Sequence, residues 1–310
     1  MKRLQMTLTK AFDAFIFDQR LRGNTEKTIE GYQGFLTRFI DWQTTTNGVS
    51  DLAELSLSHV QQYQIYLDTK PAERNGGEKL TKRSIQTYMR HIKVFLTFCF
   101  EEGFHSEPLH QKLKLPKAER PIIEILTDDE IAVILKTFSG TENEKRNRAL
   151  ILILLDCGLR LSELVGIKIC DINFSKGYIM VNGKGRKGRI VPIGERVTQD
   201  MHEYIRFRGD AETNYLFQTN NLTPMTSACV HSLMRKLKKR TGIKRIHAHL
   251  FRHTFATNFL VHGLGDVYEL SRILGHSEIR VTEKYLQLAS TAFLVLFIQK
   301  TSLKIFIRIL

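Results

Sequence analysis

The chain has 310 residues, 42% hydrophobic and 25% charged, enough apolar content to bury a core and too much for a chain disordered throughout. Lysine and arginine number 46 against 32 acidic residues, a formal net charge of +14, which points to a polyanionic partner, nucleic acid ahead of an anionic membrane surface. Cys99, Cys157, Cys170 and Cys229 lie far apart and form no CxxC pair, so neither a zinc ribbon nor a disulfide framework is indicated. They read as reduced thiols of a cytoplasmic protein. The opening MKRLQMTLTK lacks the apolar core of a signal peptide, and no stretch reaches the roughly 18 to 20 apolar residues of a membrane span. No membrane partner is expected, and the length suits two domains.

Residues 9 to 105 read as a set of amphipathic helices. Between Thr28 and Trp42, Ile29, Tyr32, Phe35, Leu36, Phe39 and Ile40 recur at helical spacing. A further helix begins after Thr81, an N-cap, and runs through Ile85, Tyr88, Ile92, Phe95, Leu96 and Phe98 to Phe100. From Arg74 to Lys93 six basic residues face one acidic residue. A solvated helix face explains that as readily as a ligand does; the charge of the whole chain favours nucleic-acid contact for Lys82, Arg83 and Arg90.

Pro108, Pro116 and Pro121 then favour extended backbone and forbid a continuous helix. The expected division is a helical domain over 1–108, a linker over 109–126, a second domain over 127–290 and an apolar tail over 291–310. Thr127-Asp-Asp-Glu130 has the form of a capping box opening the second domain. Ala149 to Leu155 is seven apolar residues in a row, a buried strand or a buried helix that periodicity does not tell apart. Gly177 to Val181, Asn182-Gly183 and Arg189 to Ile193 read as a hairpin with a basic loop. From Ser232 to Arg245 there are seven basic residues and no acid. Val230, Leu233, Met234 and Leu237 give that segment a core face and leave Arg235, Lys238 and Lys239 outside, able to track a phosphate backbone.

Five patterns in the second domain carry chemistry: Cys157-Gly-Leu-Arg160-Leu-Ser-Glu163, Gly183-Lys184-Gly-Arg186-Lys187, His249-Leu-Phe-Arg252-His253, Leu274-Gly-His276-Ser and Thr282-Glu-Lys-Tyr285. Each has an ordinary reading alone. Arg160 could pair with Glu163, Lys184 could be a solvated loop residue, and Tyr285 could be plain core. The glycines around Lys184 are not a phosphate-binding Walker loop, because no Ser or Thr follows the lysine. His249 and His253 are four apart on a helix, but without HExxH or a third ligand nearby no metal site is expected.

In their order the five resemble the tyrosine recombinase (phage integrase) family, small Xer-like members in particular, over nearly the whole chain from about residue 8 to 290. The resemblance implies a mainly α fold with a small antiparallel β-sheet (α+β) in the C-terminal catalytic domain. It also implies an all-α N-terminal core-binding (SAM-like) domain, the two forming a clamp around DNA. It places the catalytic set on Arg160, Lys184, His249, Arg252, His276 and the nucleophile Tyr285, with Glu163 orienting the site and Arg186 and Lys187 adding DNA contacts. His276 and Tyr285 are nine residues apart, roughly 13.5 Å along a continuous helix, so a turn near Gly275 to Ser277 is required for both to meet one phosphate.

The implied activity is site-specific cutting and rejoining of DNA through a 3′-phosphotyrosyl intermediate, without metal, ATP or other cofactor, in integration, excision or resolution of DNA elements. Two permanently charged guanidiniums would clamp the scissile phosphate and His276 would donate a further bond. Tyr285, whose phenol ordinarily ionises near 10, would attack with His249 as base and Lys184 as acid to the leaving 5′-oxygen. The implied partners are double-stranded DNA sites and a homotetramer, or a hetero-tetramer with a related recombinase. The competing readings are an inactive DNA-binding relative, disfavoured by the intact catalytic positions, and a type IB topoisomerase, disfavoured by the helical N-terminal half and the HLFRH and LGH patterns. The tail after Ser290, TAFLVLFIQKTSLKIFIRIL, is more apolar than the family's short docking helix, and both a docking segment and a degenerate terminus fit it.

Overall fold

The computed structural model describes residues 6–70, 79–118, 123–138, 140–183, 188–208 and 213–290. The chain divides into two compact units, residues 1–121 and 122–310.

The first unit is helical: α1 (Leu8–Leu21), α2 (Glu26–Thr46), α3 (Leu57–Thr69), α4 (Lys82–Glu101) and the short α5 (Leu109–Lys112). Thr7, Thr25, Ser56 and Thr81 open the first four, each hydroxyl accepting a backbone N–H from the first turn. Phe15, Phe39, Tyr63 and Phe95 fill the centre, with Phe15 and Phe95 edge to face at 5.7 Å. α4 turns Ile85, Met89, Ile92, Phe95, Leu96, Phe98 and Cys99 inward, and Tyr88 lies at the rim, its hydroxyl accepting from Arg38 at 2.9 Å.

The stretch read as linker from residue 109 starts inside this unit. Leu109 and Leu113 are buried in its core, and Gln86 donates to the Pro116 carbonyl at 2.8 Å. Prolines stop a helix from running through them; they do not stop the residues between them from packing.

The second unit holds α6 (Asp128–Lys136), α7 (Glu142–Cys157), α8 (Leu161–Val165), α9 (Glu195–Arg208), α10 (Ser227–Thr241), α11 (Ala248–Val261) and α12 (Val267–Leu274), followed by helical residues 280–290. β1 (Ile172–Asn173), β2 (Tyr178–Asn182) and β3 (Gly188–Pro192) form an antiparallel sheet in that order, with Ile179 opposite Val191 and Val181 opposite Arg189. The fold is thus mostly helical with a small antiparallel sheet, as expected. Thr127 and Glu130 make the capping box of α6. The apolar run from Ala149 lies on α7, and it is apolar all round because α9 and α11 pack against that helix. Gly158 ends α7 in the left-handed region (φ 57°), a conformation that favours glycine. Among the described residues, no helix is long and apolar enough to cross a membrane.

Candidate active site

The site is organised by the C-terminus of α12. Gly275 closes that helix with φ 64° and ψ 47°, its N–H donating to Arg272 while that of His276 donates to Ser271. The last carbonyls of a helix have no partner within it and carry its negative end. Three arginines from distant parts of the chain fill this gap. Arg189 Nε on β3 donates to the Ile273 carbonyl at 2.6 Å, Arg252 Nη2 on α11 to Leu274 at 2.9 Å, and Arg160 Nη2, at the start of α8, to Gly275 at 2.9 Å.

Glu163, buried on α8, is their shared counter-ion. Its carboxylate accepts from the Arg160 backbone N–H at 2.8 Å and Nη1 at 3.0 Å, and from both Arg189 Nη groups at 2.9 and 2.8 Å. Burial alone would raise its pKa, but the bonds from Arg189 and Arg160 outweigh burial and hold it below the ordinary carboxylate value. Arg252 is 2% exposed and, among the described residues, makes no ion pair. Its Nη1 donates to the Gly158 carbonyl at 2.7 Å. Burial, then the charge of Arg160, push it down to about 10, still protonated at neutral pH. Three guanidiniums facing one carboxylate leave excess positive charge. Arg160, with its side chain 37% exposed, presents it to solvent.

His276 follows directly. Arg252 Nη2 lies 2.9 Å from its Nε2, and Thr282 Oγ1 lies 2.7 Å from its Nδ1. A guanidinium cannot accept, so Nε2 accepts and Nδ1–H donates to the buried Thr282 hydroxyl. Burial, Arg252 and Arg160 push this imidazole down to about 3, so it is neutral at physiological pH. The chain turns at Gly275 and re-enters a helix at residue 280, which is how His276 and Tyr285 reach one site.

Tyr285 is 1% exposed and packs with Ala256, Phe259, Leu270 and Leu274. Its hydroxyl shares a 2.8 Å hydrogen bond with His253 Nδ1. Burial raises the phenol's pKa, and Arg252 and Arg160 pull it back. Burial, followed by the Lys284 charge, pushes His253 down to about 4. His249, the base expected from the resemblance, is exposed one turn earlier on α11, its ring 5.6 Å from that of His253, and it makes no hydrogen bond to Tyr285.

Of the expected set, Arg160, Arg252, His276 and Glu163 thus converge, and Tyr285 adjoins them through α11 and α12. Lys184, Arg186 and Lys187 lie outside the described residues. Lys82, Arg83 and Arg90 are exposed on α4; on α10 Arg235 and Lys239 are exposed and Lys238 is half-buried. Two further basic residues of that run are held by acids: Arg240 pairs with Glu144 at 3.6 Å, and Arg245 with Glu124 and Glu130. Three members of the cluster, Arg189, His253 and Thr282, are given no role by the sequence reading, although His253 and Thr282 lie within its patterns. A signal for Arg189 existed in the alternation of β3, where 189 and 191 share the inward face.

The description "Phage integrase family" fits residues 124–291, and "Phage integrase SAM-like domain" fits residues 2–115. The chain belongs to the phage integrase family of tyrosine recombinases. It is 28% identical over 271 residues to the tyrosine recombinase XerC of Xanthomonas axonopodis pv. citri (strain 306), covering 84% of this chain and 86% of that one. It is also 28% identical over 288 residues to the tyrosine recombinase XerA of Pyrococcus furiosus, covering 92% and 90%. In fold it is similar to the Tn1549 transposon integrase in complex with circular intermediate DNA, with a TM-score of 0.71, 22% identity and coverage of 90% and 95%. A lambda integrase dimer bound to a core site gives a TM-score of 0.69 at 15% identity, covering 91% and 77%.

Proposed function

We propose that this chain cuts and rejoins duplex DNA at specific sites through a 3′-phosphotyrosyl intermediate on Tyr285, working as a tetramer whose protomers each close two domains around DNA. The chain is a site-specific recombinase enzyme; the inactive-relative and topoisomerase readings are not favoured. One observation carries the catalytic reading: Arg160 and Arg252 hang from the adjacent carbonyls of Gly275 and Leu274, beside His276, and Arg252 makes no ion pair among the described residues. A buried guanidinium without a carboxylate is a site awaiting an anion.

The scissile phosphate fits that need, its non-bridging oxygens taken by the free N–H groups of the two arginines. The bond from Tyr285 Oη to phosphorus forms as the bond to the 5′-oxygen breaks. The 5′-oxygen takes a proton from Lys184, and the phenol gives its own to a histidine of α11. His249 has that role in the family pattern, whereas His253 is the one the phenol touches. Because the phosphodiester energy is kept in the tyrosyl ester, a second strand's 5′-hydroxyl can reverse the step. Lys82, Arg83, Arg90, Arg235, Lys238 and Lys239, with Arg186 and Lys187, are the proposed backbone contacts. Integration, excision and resolution of DNA elements all need this reaction. The free thiols of Cys99 and Cys157, both buried, suit work in the reducing cytoplasm.

The test is covalent trapping in EDTA on nicked duplexes made from DNA flanking the gene. A denaturing gel should show a protein–DNA adduct with wild type and none with Tyr285→Phe, which should keep its affinity for the duplex. An adduct formed by Tyr285→Phe would remove the nucleophile from this reading.

A further inference from the structure

We propose that Arg189 is a positioning residue for the phosphate-clamping pair, fixing at once the Glu163 carboxylate and the end of α12 from which Arg160 and Arg252 hang. The inference rests on the reading that those two arginines receive the phosphate.

The geometry is a closed brace. Arg189 Nη1 and Nη2 bond the two different oxygens of Glu163, which sets the plane of the carboxylate. With the plane set, Oε1 meets Arg160 Nη1 and Oε2 meets the Arg160 backbone N–H. The third nitrogen of Arg189, Nε, bonds the Ile273 carbonyl, next to the carbonyls that hold Arg252 and Arg160. One planar fork therefore ties α8 to α12, the two supports of the half-exposed Arg160. Its fit is tight: a Cβ added at Gly275 would lie 2.8 Å from Arg189 Nη1. Arg189 is also the second residue of β3, so that strand is pinned to the same supports.

A simple buried ion pair would stabilise the fold and do no more. A brace predicts a split between binding and chemistry, because Arg160 and Arg252 keep their charge while losing their aim. A lysine in place of Arg189 keeps the charge but has one ammonium, which cannot span both carboxylate oxygens and the Ile273 carbonyl.

Wild type, Arg189→Lys and Arg189→Met are compared for adduct formation rate and affinity on the same nicked duplexes. Arg189→Met should form adduct about 100-fold more slowly, as a small misplacement of a clamping group does. Its affinity should be unchanged, and Arg189→Lys should fall between. A rate like wild type for Arg189→Met, or a fall in affinity that matches the fall in rate, overturns the proposal. If wild type itself gives no adduct, the catalytic reading fails on that DNA and the brace is read separately, from nitrogen NMR of the Arg160 guanidinium. Its Nη signals should be distinct in wild type and merge by free rotation in Arg189→Met; signals that stay distinct overturn the brace.

Discussion

Tyr285 and His253 share a 2.8 Å hydrogen bond inside a closed apolar cluster, with the phenol 1% exposed. The nucleophile of the proposed reaction is therefore stored in this structure rather than presented, and its storage depends on a histidine one helical turn beyond the expected base. His253→Phe keeps an aromatic ring of similar bulk but leaves the hydroxyl without a partner, which should cost about 1 to 3 kcal/mol. The variant should unfold at lower temperature, and its Tyr285 should be nitrated faster by tetranitromethane, read by mass spectrometry. His253→Gln, which can still bond a hydroxyl, should protect Tyr285 nearly as well as wild type. Equal nitration of wild type and His253→Phe would show that the bond does not hold the tyrosine.

His253 and His276 make the protein sensitive to mild acid. Burial, with the Lys284 charge, holds His253 near 4, and burial with Arg252 holds His276 near 3, both below an ordinary value of 6.5. The unfolded chain takes up these protons first, so the stability they contribute is complete above about pH 6.5 and lost as pH falls toward 4 and then 3. Melting temperatures measured from pH 7.5 down to 4.5 should begin to fall below 6.5, well before ordinary carboxylates protonate. A flat profile to pH 5 would mean that these imidazoles charge without penalty.

Most of this architecture is legible in the sequence, because helix starts and apolar faces are local. Thr81 and the Thr127–Glu130 box mark real N-termini, and the core face of α10 falls where Val230, Leu233, Met234 and Leu237 put it. The run from Ala149 to Leu155 could not be settled locally, since its helical state is fixed by what surrounds α7. At the site, Arg160, Arg252, His276 and Tyr285 are legible through the family pattern. Of the residues that hold them, Glu163 is legible in the same pattern, whereas Arg189 and His253 are not. Arg189 and Glu163 are 26 residues apart in sequence, and His253 and Tyr285 are 32 apart. Which hydrogen bonds close across such gaps is decided by the packing of β3 and α12 on α8 and α11, and no local pattern records it.

Two cations open α4 with no acid in its first turn, an arrangement the helix dipole disfavours. Lys82 and Arg83 are exposed there, as is Arg90 two turns on. If the three face DNA phosphates, replacing all of them with alanine should weaken binding and reduce the slope of log affinity against log salt by roughly 0.9 per lost contact. Stability should hold or rise slightly, since among the described residues no ion pair or core contact is removed. Fluorescence anisotropy over a salt series, with a melt of the same samples, checks both. A triple variant with an unchanged slope would take this helix out of the DNA surface.

Gly158, like Gly275, ties the backbone to an arginine of the proposed site. Its φ of 57° is left-handed, a Cβ there would run into the Phe255 ring, and its carbonyl takes the 2.7 Å bond from Arg252 Nη1. Gly263 has a similar φ of 64° with nothing within 4 Å of a Cβ. Gly263→Ala should therefore show only the conformational cost, about 1 to 2 kcal/mol, and form adduct at the wild-type rate. Gly158→Ala adds a clash that moves either Phe255 or the carbonyl, so it should be less stable than Gly263→Ala and also form adduct more slowly, with DNA affinity kept. Chemical denaturation and adduct kinetics on the two variants separate the effects. Equal adduct rates would show that Arg252 does not depend on the Gly158 carbonyl for its aim.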